Sequence, residues 1–219
     1  MRWLDFIFPP RVDEIIVRDI SADDFLALVA PRLVPETRPG TVALLPYHDE
    51  RVRSVIHEAK YHGSKLAFQL LALAVVEYLR DADDFARFDL AARSNLAILV
   101  PIPLGEKRRK ERGYNQTEEV ATRAAKLLGC AVHSGILVRT RETISQVSLP
   151  RHKREKNMRG AFTASLKLRS ASDAAHSVDS SHTFIILDDV LTTGATLQAA
   201  IDALKKAGAE HIIPLALAH

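Results

Sequence analysis

Apolar residues along the chain fall into two rhythms: short unbroken runs, and longer stretches where they recur every three or four positions. The run 183–187 has no polar alternation and stops at two aspartates, so it predicts a strand covered on both faces, as in a parallel sheet. Residues 41–45 predict a strand. Further on, 96–100, 131–138 and 161–168 predict the first three core strands, 183–187 the fourth and 212–217 the last. The second rhythm predicts helices. One starts near Asp49, with Val52, Val55, Ile56 and Ala59 on one face, and ends at Gly63. The next, 64–80, is apolar almost all round and should be buried. A third is capped by Asn115, has Glu118 at the capping-box position, and stops at Gly129. A fourth, 193–207, has Lys205 and Lys206 in its last turn and Gly208 as its stop.

Other stretches read differently. Residues 3–8 read as a docking segment and 12–20 as a short strand. Ser21 caps a brief helix through Leu28, and prolines 31, 35 and 39 mark a loop-rich region. Residues 139–160 lack periodicity, and 170–182 read as a flexible loop with no chemistry in it. Strands that alternate with helices predict an α/β fold: an open, mostly parallel sheet flanked by helices, with right-handed crossovers. Ligands of such sheets bind beyond the strand carboxyl ends. The segments after Val100 and Leu187 both fall on that edge.

The second of those segments carries the strongest chemistry. Asp188-Asp189-Val190-Leu191-Thr192-Thr193-Gly194-Ala195-Thr196 places an acid pair and a small-residue bend ahead of a helix. Small residues let backbone N–H groups close on an oxyanion, and the helix start adds the positive end of its dipole. Thr192, Thr193 and Thr196 can add hydroxyl donors. Asp188 and Asp189 cannot hold a phosphate, but they accept hydrogen bonds from two adjacent sugar hydroxyls. A 5-phosphorylated ribose satisfies both halves. The plainer reading is a turn whose Asp and Thr residues merely cap the helix. The unbroken order of strand, two acids, two threonines and glycine favours the ligand.

Charge changes the picture more through position than amount. The formal net charge is only +3 over 219 residues. Basic residues cluster at Lys107-Arg108-Arg109-Lys110 with Arg112, and again at Arg151, Lys153, Arg154, Lys156 and Arg159. Three readings stay open: a solvated charged surface, arginine recognition of pyrophosphate, and a groove for single-stranded nucleic acid. Arg112, Arg154 and Arg159 are the leading phosphate contacts, with Arg108 and Arg109 beside them. Tyr114 and Phe162 are the aromatics near the clusters. Gln146 and Asn157 read as residues that order the long loop.

Composition excludes several classes. The chain is 47% hydrophobic, enough for one sizeable core. A single cysteine, Cys130, rules out an intrachain disulfide or a cysteine zinc site, and reads as a small buried hydrophobe. His57 and His62 are five apart, carry no metal-binding pattern, and read as surface or packing residues. No secretory leader is visible, and the longest apolar stretch, 66–76, contains Gln69 and is too short to span a bilayer. The expectation is a soluble, cytoplasmic protein.

The acid-pair segment resembles the signature loop of type I phosphoribosyltransferases. More widely, Val100-Pro101-Ile102-Pro103-Leu104, Arg112-Gly113-Tyr114-Asn115-Gln116, then Arg139, Gln146, Leu149, Arg154, Asn157 and Gly160-Ala161-Phe162 resemble the ComF family of competence-associated proteins. Tyr47, Ile56 and Lys60-Tyr61-His62-Gly63 resemble that family's stretch ahead of the core. The likeness covers about residues 41–219. It divides the chain into an N-terminal region, 1–46, and a phosphoribosyltransferase-like domain, 47–219, with its core at 94–219. ComF proteins usually carry a four-cysteine zinc module after a Phe-Pro sequence. Here Phe8-Pro9-Pro10 is followed by no cysteine module.

The resemblance implies a pocket for phosphoribosyl pyrophosphate, with magnesium held through substrate oxygens. Thr192, Thr193, Gly194, Ala195 and Thr196 would hold the 5-phosphate. Asp188 and Asp189 would hold the ribose hydroxyls and, in an enzyme, favour positive charge on the ring. Arg108, Arg109, Arg112, Arg154 and Arg159 would meet pyrophosphate or nucleic acid. It also implies a role in uptake of single-stranded DNA beside a helicase-like competence protein. The alternative is an active phosphoribosyltransferase of nucleotide or base salvage. Nothing in the sequence identifies the acceptor.

Overall fold

The computed structural model describes residues 10–81, 96–141, 158, 160–166 and 180–219. In chain order the elements are α1 (Val12–Asp19), α2 (Ala22–Leu26), β1 (Arg32–Val34), β2 (Thr41–Leu45), α3 (Glu50–Tyr61), α4 (Lys65–Asp81), β3 (Ala97–Pro101), α5 (Glu106–Arg112) and α6 (Gln116–Leu128). Then come β4 (Ala131–Val132), β5 (Leu137–Arg139), β6 (Phe162–Ala164), β7 (Thr183–Val190), α7 (Ala195–Lys206) and β8 (His211–Ala218). The docking segment 3–8, the loop cluster Arg151, Lys153, Arg154, Lys156 and Arg159, the loop residues Gln146 and Asn157, and 170–179 lie outside the described residues.

Among the described residues six strands form one sheet in the order β1-β2-β8-β7-β3-β4, parallel throughout except for β1, which lies antiparallel on β2. Helices cover both faces, which is why the central strands read as unbroken apolar runs. Successive side chains of β7 go to opposite sides. Phe184 and Ile186 join a core with Leu197, Ala200, Ile201 and Leu204 of α7. Ile185 and Leu187 join the other core, with side chains from α3, α4 and α6. All four are fully buried, and each contributes about 1.5–3 kcal/mol by leaving water. The sheet is the expected α/β architecture. Residues 32–45, read as part of the N-terminal region, supply its strands β1 and β2.

Three segments differ from expectation. Residues 12–19 form a helix, not a strand. Their β-branched run suggested β-structure, but Asp13 and Glu14 suit a helix's first turn and Arg18 its last, and Val17 is buried against the helical layer. The strand expected at 131–138 is broken at Ser134-Gly135: β4 joins the main sheet, and β5 turns away. The third core strand is absent from the main sheet. Instead, β6 pairs antiparallel with β5 as a separate ribbon, where Leu137 and Phe162 pack into the α7-side core. Among the described residues no helix is long and apolar enough to cross a membrane.

Candidate functional site

Strands β3 and β7 run side by side, Pro101 opposite Leu187, and end on the same edge. Ile102 N–H extends the pair by donating to the Leu187 carbonyl at 2.9 Å. The short basic helix α5 follows, and Gly113, at φ 78°, turns the chain into α6. The start of α6 is pinned to the end of β3. Asn115 Nδ2 and Thr117 Oγ1 each donate to the Ile102 carbonyl at 3.0 Å, while Asn115 Oδ1 accepts the Thr117 N–H. Gln116, buried between them in sequence, is thereby aimed at the end of β7.

The aspartates do not end β7, as the sequence suggested; they lie within its last turn of pairing, with Asp188 opposite Ala216 and Val190 opposite Ala218. Each carboxylate is held first by the next backbone amide: Asp188 Oδ1 accepts from Asp189 N–H at 2.9 Å, and Asp189 Oδ1 from Val190 N–H at 2.7 Å. Asp189 Oδ2 takes two further donors, Lys60 Nζ at 2.7 Å and Gln116 Nε2 at 2.9 Å. Arg112 Nη1 in turn donates to Gln116 Oε1 at 3.0 Å.

This wiring separates two chemically identical groups. Burial, and then the charge of Asp189, push the Asp188 carboxyl up to about 7. Burial also acts on Asp189, but the Lys60 ammonium and the hydrogen bonds from Lys60, Val190 and Gln116 outweigh it and hold that carboxyl below its ordinary value. The Lys60 ammonium, disfavoured by burial, is kept charged by Asp189 and shifts upward. Near neutral pH the pair therefore presents one firmly ionised carboxylate and one that exchanges its proton.

Beyond the acids the chain bends into α7. Gly194, at φ 70°, is the N-cap residue, and no side chain caps the helix. The back of the bend is tightly covered: a Cβ at Gly194 would lie 2.9 Å from Thr37 Cγ2 and 3.0 Å from Glu36 Cβ. Its front lines a cavity of about 400 Å³ through Thr192, Gly194, Ala195 and Thr196, with Asp188 and Asp189. Thr193 is buried outside the lining, and its Oγ1 has no hydrogen-bond partner among the described residues. From the basic run, Arg108 and Arg112 line the cavity, while Arg109 is exposed and does not. Arg154 and Arg159 lie outside the described residues.

Sequence reasoning assigned no role here to Lys60, Gln116, Tyr47, Tyr61 or Arg139, all of which line the cavity. Two adjacent acids in a buried strand call for a counter-cation, and that was the available signal. It could not say which of many lysines and arginines answers. Tyr61 is 54% exposed, and the Arg112 guanidinium lies 5.0 Å from its ring centroid, so the rim combines aromatic faces with positive charge.

Residues 96–219 match the phosphoribosyl transferase domain family. The DNA utilization protein YhgH of Salmonella typhi is 32% identical over 160 residues, a match covering 71% of this chain and 61% of that protein. Competence protein F of Haemophilus influenzae is 25% identical over 171 residues, covering 78% of this chain and 69% of that one. The chain thus spans about three fifths of the first relative's length. Among solved structures, an adenine phosphoribosyltransferase from Leishmania tarentolae is similar at a TM-score of 0.35 and 15% identity, over 76% of this chain and 74% of that one, too loose a likeness to bear on the site. The matched region contains β3, α6, β7, the acid pair and the bend, and the chain therefore belongs to the phosphoribosyl transferase domain family, among its ComF-like members.

Proposed function

We propose that the cavity binds phosphoribosyl pyrophosphate or a closely related phosphoribosyl ligand, and that the protein acts in DNA utilisation or competence, as the relatives' names suggest for them. One observation carries the reading. The acid pair and an uncapped helix start line one cavity together with Arg108 and Arg112. The first-turn amides of α7 and Thr196 suit the 5-phosphate. Asp188 and Asp189 suit the ribose hydroxyls, with Asp189 oriented by Lys60 and Gln116. Arg108 and Arg112 suit the pyrophosphate, or the backbone of a single strand entering at the rim.

A divalent ion finds little protein ligation at the acid pair. Asp189 Oδ2 is already matched by Lys60, and Asp188 holds a proton up to about pH 7. That donor set fits magnesium carried in on the ligand's own oxygens. A second reading, turnover, draws on the exposed Tyr47 and Tyr61 at the rim, where an acceptor could stack. In that case the bond from the ring carbon to pyrophosphate breaks as the acceptor's bond forms, and the nearby carboxylates favour the positive charge on the ring.

The test is calorimetric titration of phosphoribosyl pyrophosphate with magnesium, alongside a labelled single strand across a salt series. The paired change Asp188→Asn with Asp189→Asn should weaken the sugar phosphate at least about tenfold, an interaction loss of the size of one charge-assisted hydrogen bond. Charge reversal at Arg108 and Arg112 should weaken the strand and flatten its salt dependence. If the wild-type chain takes up neither ligand, the proposal fails. Release of pyrophosphate with a panel of nucleobases separates binding from turnover.

A further inference from the structure

We infer that His57, Glu58 and His62 form a binding site for one divalent transition-metal ion of the zinc type, apart from the phosphoribosyl pocket. One donor atom from each of the three lies within 4.8 Å of the others. Two imidazoles and a carboxylate are the donor set that zinc and its neighbours favour, and a four-coordinate ion with bonds of about 2.1 Å needs its donors roughly 3.4 Å apart. The donor atoms must close by up to about 1.4 Å.

The local fold explains why the spacing hid this arrangement. Glu58 and His62 stand one turn apart on α3 and face the same way. His57 and His62, five apart, would diverge on a continuous helix. His62, however, is the C-cap, at φ −122° and ψ −2°, and leaves helical geometry. Its ring comes to 5.6 Å from that of His57, edge to face, and its Nε2 to 3.9 Å from Glu58 Oε1. The His57 and His62 side chains are 46% and 32% exposed, so an ion reaches them from solvent, while Glu58 below is 3% exposed.

One surrounding feature favours an ion, and one opposing group has somewhere else to go. Asp13 of α1 lies 2.9 Å from His57 Nδ1 and is itself fixed by Ser54 Oγ at 2.8 Å, the kind of outer carboxylate that orients a metal-bound imidazole. Arg11 donates to both oxygens of Glu58 at 3.1 Å, and is the competitor the ion must displace. Its guanidinium already lies 3.3 Å from Glu14 and is half exposed, so it has a second carboxylate to move to. Binding would exchange one link between the N-terminal segment and α3, Arg11 to Glu58, for another that runs from Asp13 of α1 through the metal-bound His57.

The experiment uses the full chain, stripped with a chelator and titrated with Zn²⁺ by calorimetry and with Co²⁺ by visible absorption. One equivalent should bind, with d–d bands of a low-coordinate nitrogen–oxygen site. A hundredfold excess over Kd should raise the Tm by roughly 5–10 °C. His57→Ala with His62→Ala should abolish the bands. His62→Gln and Asp13→Asn should each weaken uptake by about tenfold or more, while the metal-free Tm of His62→Gln stays near that of wild type. Absence of saturable uptake below about 100 μM, a Kd weaker than about −5.5 kcal/mol of binding would give, overturns the inference. So does uptake that survives the double histidine change, or that is lost instead in Asp189→Asn.

Discussion

Asp188 and Asp189 are neighbours in sequence with opposite proton affinities. The Asp188 carboxyl titrates in the fold near 7, above its ordinary 3.8, so between those values the folded chain holds a proton that the unfolded chain releases. Stability drawn from this group is therefore greatest in acid and declines as pH rises towards 7, then levels off. Asp189 works the other way: its contribution exists above the ordinary carboxylate range and is lost on acidification. Asp188→Asn should thus stabilise the protein more at pH 8 than at pH 4.5, by on the order of 1–3 kcal/mol, in urea melts at the two values. Equal effects at both would contradict the environment described for Asp188. The acids and the bend were legible because one short stretch contains them all. Lys60 and Gln116 were not, since only the folded chain brings them to Asp189.

At the scale of elements, α6 matters because its first residues do two tasks. Asn115 caps the helix and ties it to β3, and Gln116 reaches the acid pair. Asn115→Asp keeps the acceptor for Thr117 but loses the Nδ2 donor and sets a carboxylate against the Ile102 carbonyl. We expect a loss of about 1–2 kcal/mol and, because Gln116 shifts with the turn, weaker binding of phosphoribosyl pyrophosphate. Calorimetry beside denaturant melts checks both; full stability with reduced affinity would assign Asn115 to the site alone. The caps and stops of α3, α6 and α7 were readable, as Asp49, Asn115, Gly129 and Gly208 act on adjacent backbone groups. The failures came where apolar runs were short. Residues 12–19 fold as a helix because of what they dock on, and 162–164 join a ribbon instead of the sheet. Run length specifies neither partner.

On the scale of the molecule, the site belongs to more than the matched region. Lys60 and the tyrosines of the rim come from residues ahead of 96, and β2 lies beside β8 in the sheet. A fragment 96–219 would expose the buried edge of β8, lose one side of a core, and leave Asp189 without its counter-ion. It should not form a cooperative unit, by circular dichroism and thermal melts, and should not bind the sugar phosphate. A folded fragment with native affinity would show the helical layer to be dispensable. The alternation of strands and helices made the sheet legible, whereas strand order was not, since β8 could as well have joined an edge. It sits between β2 and β7, strands widely separated along the chain. Such pairings close late, after the entropy of large loops has been overcome. Only the β2–β8 half of that seam is long-range, and the helix after β2 carries Lys60, so the charge that balances the acidic wall depends on the most distant pairing in the sheet.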